Sequence, residues 1–174
     1  MIGCGVGYTL VPAHESWPST TGESPPIRAC FSPNGRCTNL IVSSIDNAKK
    51  SIDVMAYSFT SQPIAEALVT AHKRGVNVQI LIDKSQLKEK YSQLNYLGQN
   101  GLSLFIDSAQ GIAHNKVMIF DDRFVLTGSF NFSKAAESRN AENIVIIDDP
   151  VLANIYLKNW EGRRETARLY LDTE

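Results

Sequence analysis

The chain has 174 residues, 43% hydrophobic and 20% charged, with 17 Lys and Arg against 18 Asp and Glu and a formal net charge of -1. That length fits one domain with a substantial core and excludes a largely disordered chain, while the charge balance excludes global attraction of a polyanion, so any cationic surface must be local. No run is long and apolar enough for a membrane-spanning helix, and three cysteines with no histidine beside them argue against a structural metal.

Residues 1–26 read as a flexible N-terminal arm, because Pro12 to Pro26 is rich in Ser, Thr, Gly and Pro. Met1 to Tyr8 has no cationic n-region and only a weak apolar stretch, so no complete secretory signal is legible; either one has been removed or the protein stays inside the cell. Cys4-Gly5 follows too short a segment for a lipid anchor. Residues 27–174 form the expected folded domain, opening with a strand at Ile27 to Phe31. Cys30 and Cys37 bracket Pro33-Asn34-Gly35, a turn signal able to bring the two sulfurs together; a disulfide and a pair of free thiols both fit.

Thr38 is the expected cap of a helix reaching about Lys50, with Leu40, Ile41, Ile45 and Ala48 facing inward. Ile52 to Tyr57 reads as a strand, Gln62 to Arg74 as a helix closed by Gly75, Val76 to Ile82 as a strand and Lys84 to Gly98 as a polar helix. Tyr57-Ser58-Phe59 ends a strand before a helix, where open α/β sheets place ligands; Phe59 itself suits the core. Leu102 to Ile106 is a short strand, and Val117 to Phe120 and Phe124 to Leu126 are two more, joined by the polar turn Asp121-Asp122-Arg123. Ile144 to Ile147 follows as a strand, and Pro150 to about Leu169 as a helix with an apolar stripe of Leu152, Ile155, Tyr156 and Trp160. Strands alternating with helices and then a hairpin predict the α/β class, an α-β-α sandwich with a mixed central sheet. Lys116, Arg123, Lys134 and Arg139 cluster around the hairpin in sequence, whereas Lys84, Lys88 and Lys90, and Arg163, Arg164 and Arg168, read as solvated helix faces.

The hairpin segment reads His114-x-Lys116-x4-Asp121 and then Gly128-Ser129-x-Asn131. Six fixed positions match by chance at roughly one in 10^8 starting points. On an extended strand, residues two apart share a face, so His114 and Lys116 project together, as do Ser129 and Asn131. An imidazole, an ammonium, a hydroxyl and a carboxamide converging in this way suit a tetrahedral phosphate anion, and that chemistry calls for no metal. Taken singly, His114 would be a structural histidine, Asp121 a turn residue, Ser129 and Asn131 turn formers or a helix cap, and Glu142 a solvated carboxylate at a strand entry.

This pattern resembles the phospholipase D superfamily, and the chain is similar in length to its short single-motif bacterial endonucleases. The resemblance covers about residues 28–168, with its specific part at residues 114–143. It implies a phospholipase D-like fold and phosphodiester cleavage through a phosphohistidine, without a cofactor. Two copies of the motif meet in that family, one histidine attacking and the other protonating the leaving oxygen; here it occurs once, and neither His14 nor His72 has a lysine two residues on. The resemblance therefore implies a homodimer sharing one site. Carried over residue by residue, His114 is nucleophile or acid, Lys116, Ser129 and Asn131 hold phosphate oxygens, and Glu142 bonds the imidazole. Asp121 belongs to the motif as a catalytic candidate, though its turn position also fits an architectural part.

The expected substrate is nucleic acid, DNA or else RNA, with no membrane anchor. Alternatives are a phospholipid substrate or a non-catalytic nucleic-acid-binding module. Short secreted nucleases of the superfamily often carry a similar cysteine pair, which implies a periplasmic or secreted location.

Overall fold

The computed structural model describes residues 26–108 and 111–170, so the expected arm, with Cys4 and His14, lies outside the described residues. Its framework is an eight-stranded sheet: β1 (Ile27–Ser32), β2 (Ser51–Ala56), β3 (Asn77–Asp83), β4 (Ser103–Asp107), β5 (Lys116–Phe120), β6 (Phe124–Gly128), β7 (Glu142–Asp148) and β8 (Arg168–Leu169). They lie in the order β1-β7-β6-β5-β2-β3-β4-β8. β2, β3 and β4 are mutually parallel; every other neighbouring pair is antiparallel. The sheet is therefore mixed, as the alternation of elements predicts.

Period-two alternation sorts the side chains of the central strands. Ile52, Val54 and Ala56 of β2, with Met118 and Phe120 of β5, join one core with α1 (Cys37–Asn47) and α2 (Gln62–Lys73). Met55, Val117 and Ile119 join a second core under α5 (Pro150–Glu165), anchored by Trp160, whose Nε1 donates to the Val54 carbonyl at 3.0 Å. Helices on both faces complete the α-β-α sandwich. Cys30 and Cys37 form a disulfide with Cα atoms 5.6 Å apart, tying β1 to the first turn of α1.

Five local expectations are corrected. Thr38 does not cap α1: the helix starts at Cys37, and the Thr38 N–H donates at 2.6 Å to Glu137 of α4 (Lys134–Ser138). The polar helix over Lys84 to Gly98 is instead a 3-10 turn, Lys84–Leu87, and a short helix α3, Leu94–Gln99. Both pieces are tethered to one buried residue, since the Phe59 N–H donates to Gln86 Oε1 at 3.1 Å and the Gln93 N–H to the Phe59 carbonyl at 2.9 Å. In a continuous helix two residues seven apart would sit about 10 Å apart along the axis, too far to grip the same residue.

The last helix ends at Glu165, because Arg168 and Leu169 pair with β4, and Ile155 is 59% exposed, off the apolar stripe. Arg163 and Arg164 are not a solvated face. Arg163 Nη2 lies 2.6 Å from buried Asp107, and Arg164 lies over the rings of Phe105 and Trp160.

Asp53, on the α5 side of β2, is only 5% exposed. Burial, reinforced by the carboxylates of Asp122 and Glu161 and opposed by Arg164, pushes its carboxyl up to about 7. A raised carboxyl favours the folded state fully below its unfolded value of 3.8, and that contribution is lost as pH rises through about 7. Asp53→Asn is therefore expected to raise the melting temperature by several degrees at about pH 8 and to change it little near pH 4. Thermal melts at the two pH values check this; an equal effect at both would count against a buried charge.

Candidate functional site

Antiparallel pairing of Val117 with Thr127 and of Gly128 with Ile144 brings the start of β5, the end of β6 and the start of β7 to one edge of the sheet. The end of β2 arrives there too, with Ala56 opposite Lys116. The hairpin thus gathers residues far apart in sequence. Gly128 permits the closest approach: a Cβ at that position would lie 2.1 Å from the Asn143 carbonyl oxygen, so any side chain there would push β7 away.

His114 is exposed and precedes β5, with its ring stacked at a tilt against Tyr57, centroids 4.6 Å apart. Its imidazole nitrogens have no hydrogen-bond partner among the described residues. Lys116 is 6% exposed; its ammonium donates at 2.8 Å to the His114 carbonyl and lies 5.1 Å over the Tyr57 ring. Burial lowers the Lys116 ammonium from its ordinary value, and the carboxylate of Glu142 acts against that fall.

Ser129 Oγ donates to Glu142 at 2.5 Å and accepts from the Asn143 N–H at 3.1 Å. The Asn140 carboxamide donates at 2.9 Å to the other Glu142 oxygen. Asn131 Oδ1 is buried with no partner among the described residues. An unmet buried polar atom costs about 1–3 kcal/mol and is tolerated where a ligand can complete it.

The structure therefore brings together His114, Lys116, Ser129 and Glu142, with Asn131 following on the same connection. One expected contact differs: within the chain Glu142 serves Ser129 and Asn140 and makes no hydrogen bond to His114. Asp121 is not in the cluster. It lies past the other end of β5 in a turn where it and Asp122 have φ of 54° and 55°, and its carboxylate accepts backbone N–H groups of Lys49, Lys50 and Ser51 at 2.6–3.1 Å. Burial raises this carboxyl, but the three N–H donors outweigh it and hold the group below the usual carboxylate range. Arg123 also sits at that far end, paired in a fork with Asp148.

Asn140, Asn143 and Asp83 escaped the sequence reading. Asp83, 1% exposed at the end of β3, accepts the Ala113 N–H at 2.7 Å and so anchors the approach to His114. An acidic residue closing a buried strand was its one visible signal.

An arrangement of one free imidazole beside a half-desolvated ammonium, a hydroxyl and a carboxamide can hold an anion and attack it. Residues 41–163 match the family model described as "Cardiolipin synthase, PLD-like domain". Over 138 residues the chain is 48% identical to a protein named "Phospholipase D" from Rickettsia conorii, covering 79% of this chain and 69% of that one. The structure of Nuc, a phospholipase D family member from Salmonella typhimurium, superposes with a TM-score of 0.80 at 45% identity, covering 84% of this chain and 98% of Nuc. NucT from Helicobacter pylori superposes with a TM-score of 0.74 at 27% identity, covering 83% and 100%.

Because Asp121 grips three backbone N–H groups remote from the cluster, Asp121→Ala is expected to lower stability by about 1–2 kcal/mol while turnover per folded molecule stays near that of the wild type. Urea unfolding and activity on the same preparations check this; a hundredfold loss of turnover at unchanged stability would return Asp121 to the catalytic set.

Proposed function

The chain belongs to the phospholipase D family, and on that premise we propose that it is a metal-independent phosphodiesterase, an endonuclease cleaving nucleic acid through a phosphohistidine at a site shared by two copies of the chain. The observation that carries this reading is the exposed His114 imidazole, which among the described residues has no hydrogen-bond partner and is the one histidine in the cluster with Lys116, Ser129 and Asn131. One imidazole cannot both attack phosphorus and protonate the departing oxygen in the same step. A two-fold partner supplies the second with no new residue type.

In the proposed reaction a neutral ring nitrogen of His114 attacks phosphorus and the P–N bond forms as the P–O bond to the leaving alcohol breaks. The proton that the leaving oxygen requires comes from the partner subunit's His114, held as imidazolium. Water then attacks the phosphohistidine, giving up a proton to the imidazole that had acted as acid, and the P–N bond breaks to release a phosphomonoester. Lys116, Ser129 and Asn131 bind the non-bridging oxygens, where negative charge grows. Glu142 orients Ser129 and offsets the Lys116 charge. Residues 27–174 would form the catalytic domain, behind an arm at residues 1–26. The Cys30–Cys37 disulfide supports an oxidising compartment, periplasmic or extracellular.

A second reading, phospholipid hydrolysis, rests on the name of the Rickettsia relative and the family description. Phosphatidylcholine vesicles assayed beside DNA and RNA separate the two.

Cleavage of nucleic acid is expected to persist in excess EDTA, because Lys116 supplies the cationic charge, and to fall at least about 10^4-fold in His114→Ala with fold and dimer retained. Gel assays with circular dichroism and mass by light scattering check this. EDTA sensitivity reversed by Mg²⁺, or brisk turnover by the variant, would overturn the mechanism.

A further inference from the structure

Two adjoining depressions, of about 720 and 730 Å³, open beside the cluster and share Thr60, Tyr91 and Lys134 as their common wall. The first is lined by Ser58 and Ser133, the chain neighbour of Tyr57 and the residue two beyond Asn131, so the groove lies next to segments that carry the cluster. Its floor comes from the β2–α2 connection and its walls from α4 and from the segment between the 3-10 turn and α3.

That segment is the one whose helix is broken by the two tethers to Phe59, and the break leaves Tyr91 66% exposed. Lys90 Nζ lies 5.3 Å above its ring. Arg36 lines the larger depression, Arg139 the other and Lys134 both. None of these four cations forms an ion pair among the described residues. Against these four cations the groove carries two carboxylates, Glu137, which accepts the Thr38 N–H at 2.6 Å, and Glu89, which accepts the Tyr91 N–H at 3.2 Å, so the groove has a net positive charge on a chain of net charge -1.

Cations spaced along a groove around an exposed ring suit a flexible strand whose bases are free to stack; in a duplex those faces are covered by neighbouring bases. Resting on the reading that the chain cleaves nucleic acid, we propose that this groove is the track for a single strand: Tyr91 stacks one base, and Arg36, Lys90, Lys134 and Arg139 hold the phosphates that flank the scissile one. The groove then makes unpaired nucleic acid the preferred substrate.

The test is fluorescence anisotropy in EDTA with an oligothymidylate about 12 nucleotides long and a blunt duplex, using full-length protein in a His114→Ala background so that the probe survives. Tyr91→Ala is expected to weaken single-strand binding at least about fivefold and to leave duplex binding unchanged, with Tyr91→Phe restoring it. Lys134→Ala with Arg139→Ala should reduce the slope of log affinity against log salt by about 0.7 for each phosphate that the groove no longer holds. Unchanged single-strand affinity in Tyr91→Ala, an equal loss on the duplex, or no single-strand binding by the parent would overturn the proposal. Hydrolysis of bis(p-nitrophenyl) phosphate by the wild type, a substrate too small to occupy the groove, reports separately on the phosphodiesterase reading.

Discussion

The register of β5 against β6 is the constraint on which the site depends. With Val117 opposite Thr127, Lys116 emerges on the α1 and α2 side of the sheet. A slip of one residue would turn it to the α5 side, where Val117 and Ile119 now pack. The two strands are joined by the three-residue turn Asp121-Asp122-Arg123, whose first two residues lie in the left-handed region, where a residue with a Cβ is disfavoured. Asp121 offsets that cost by accepting the N–H groups of Lys49, Lys50 and Ser51, which also joins the hairpin to the start of β2. An acidic group at one end of a strand thereby helps stabilise the hairpin whose other end carries the ammonium.

Desolvation arranges the charge at the near end. Lys116 is buried enough to lose hydration, yet it forms no ion pair within 4.0 Å among the described residues, because Glu142 is occupied by Ser129 and Asn140. The carboxylate is close enough to support the charge without neutralising it. An ammonium in that state gains more from an arriving anion than a hydrated surface lysine does, since part of its water has already been removed. His114 stands exposed beside this lysine, stacked on Tyr57, where the substrate and the second chain of the proposed reaction would reach it.

The same sheet edge collects features that whole-chain averages conceal. A net charge of -1 spreads over a molecule in which Arg36, Lys90, Lys134 and Arg139 line two adjoining depressions beside Tyr91, while other cations are consumed structurally, Arg123 by Asp148 and Arg163 by Asp107. The disulfide from β1 to α1 and the Glu137 contact to Thr38 hold α1 against α4, and these are neighbours of that cationic wall.

Much of the framework was legible in the sequence because it rests on local rules. Apolar runs of strand length, the helix stop at Gly75, the Pro-Asn-Gly turn between the cysteines and the polar turn at Asp121 each depend on neighbouring residues alone, and the spacing from His114 to Asn131 reflects a strand's two-residue period. Tertiary contact decided the rest. The helix expected from Lys84 to Gly98 gave way to two tethers on Phe59, Thr38 yielded its capping place to Glu137, and Leu169 left its helix to pair with Phe105. Glu142 was legible as part of the site but its attachment to Ser129 and Asn140 was not, and Asp83 was passed over entirely. By itself the sequence determined which chemical groups the chain carries and which face of a strand or helix they share, since those follow from backbone periodicity. Only the tertiary structure decided which groups meet and which lose their water, because hydrogen bonds and desolvation act between segments far apart along the chain.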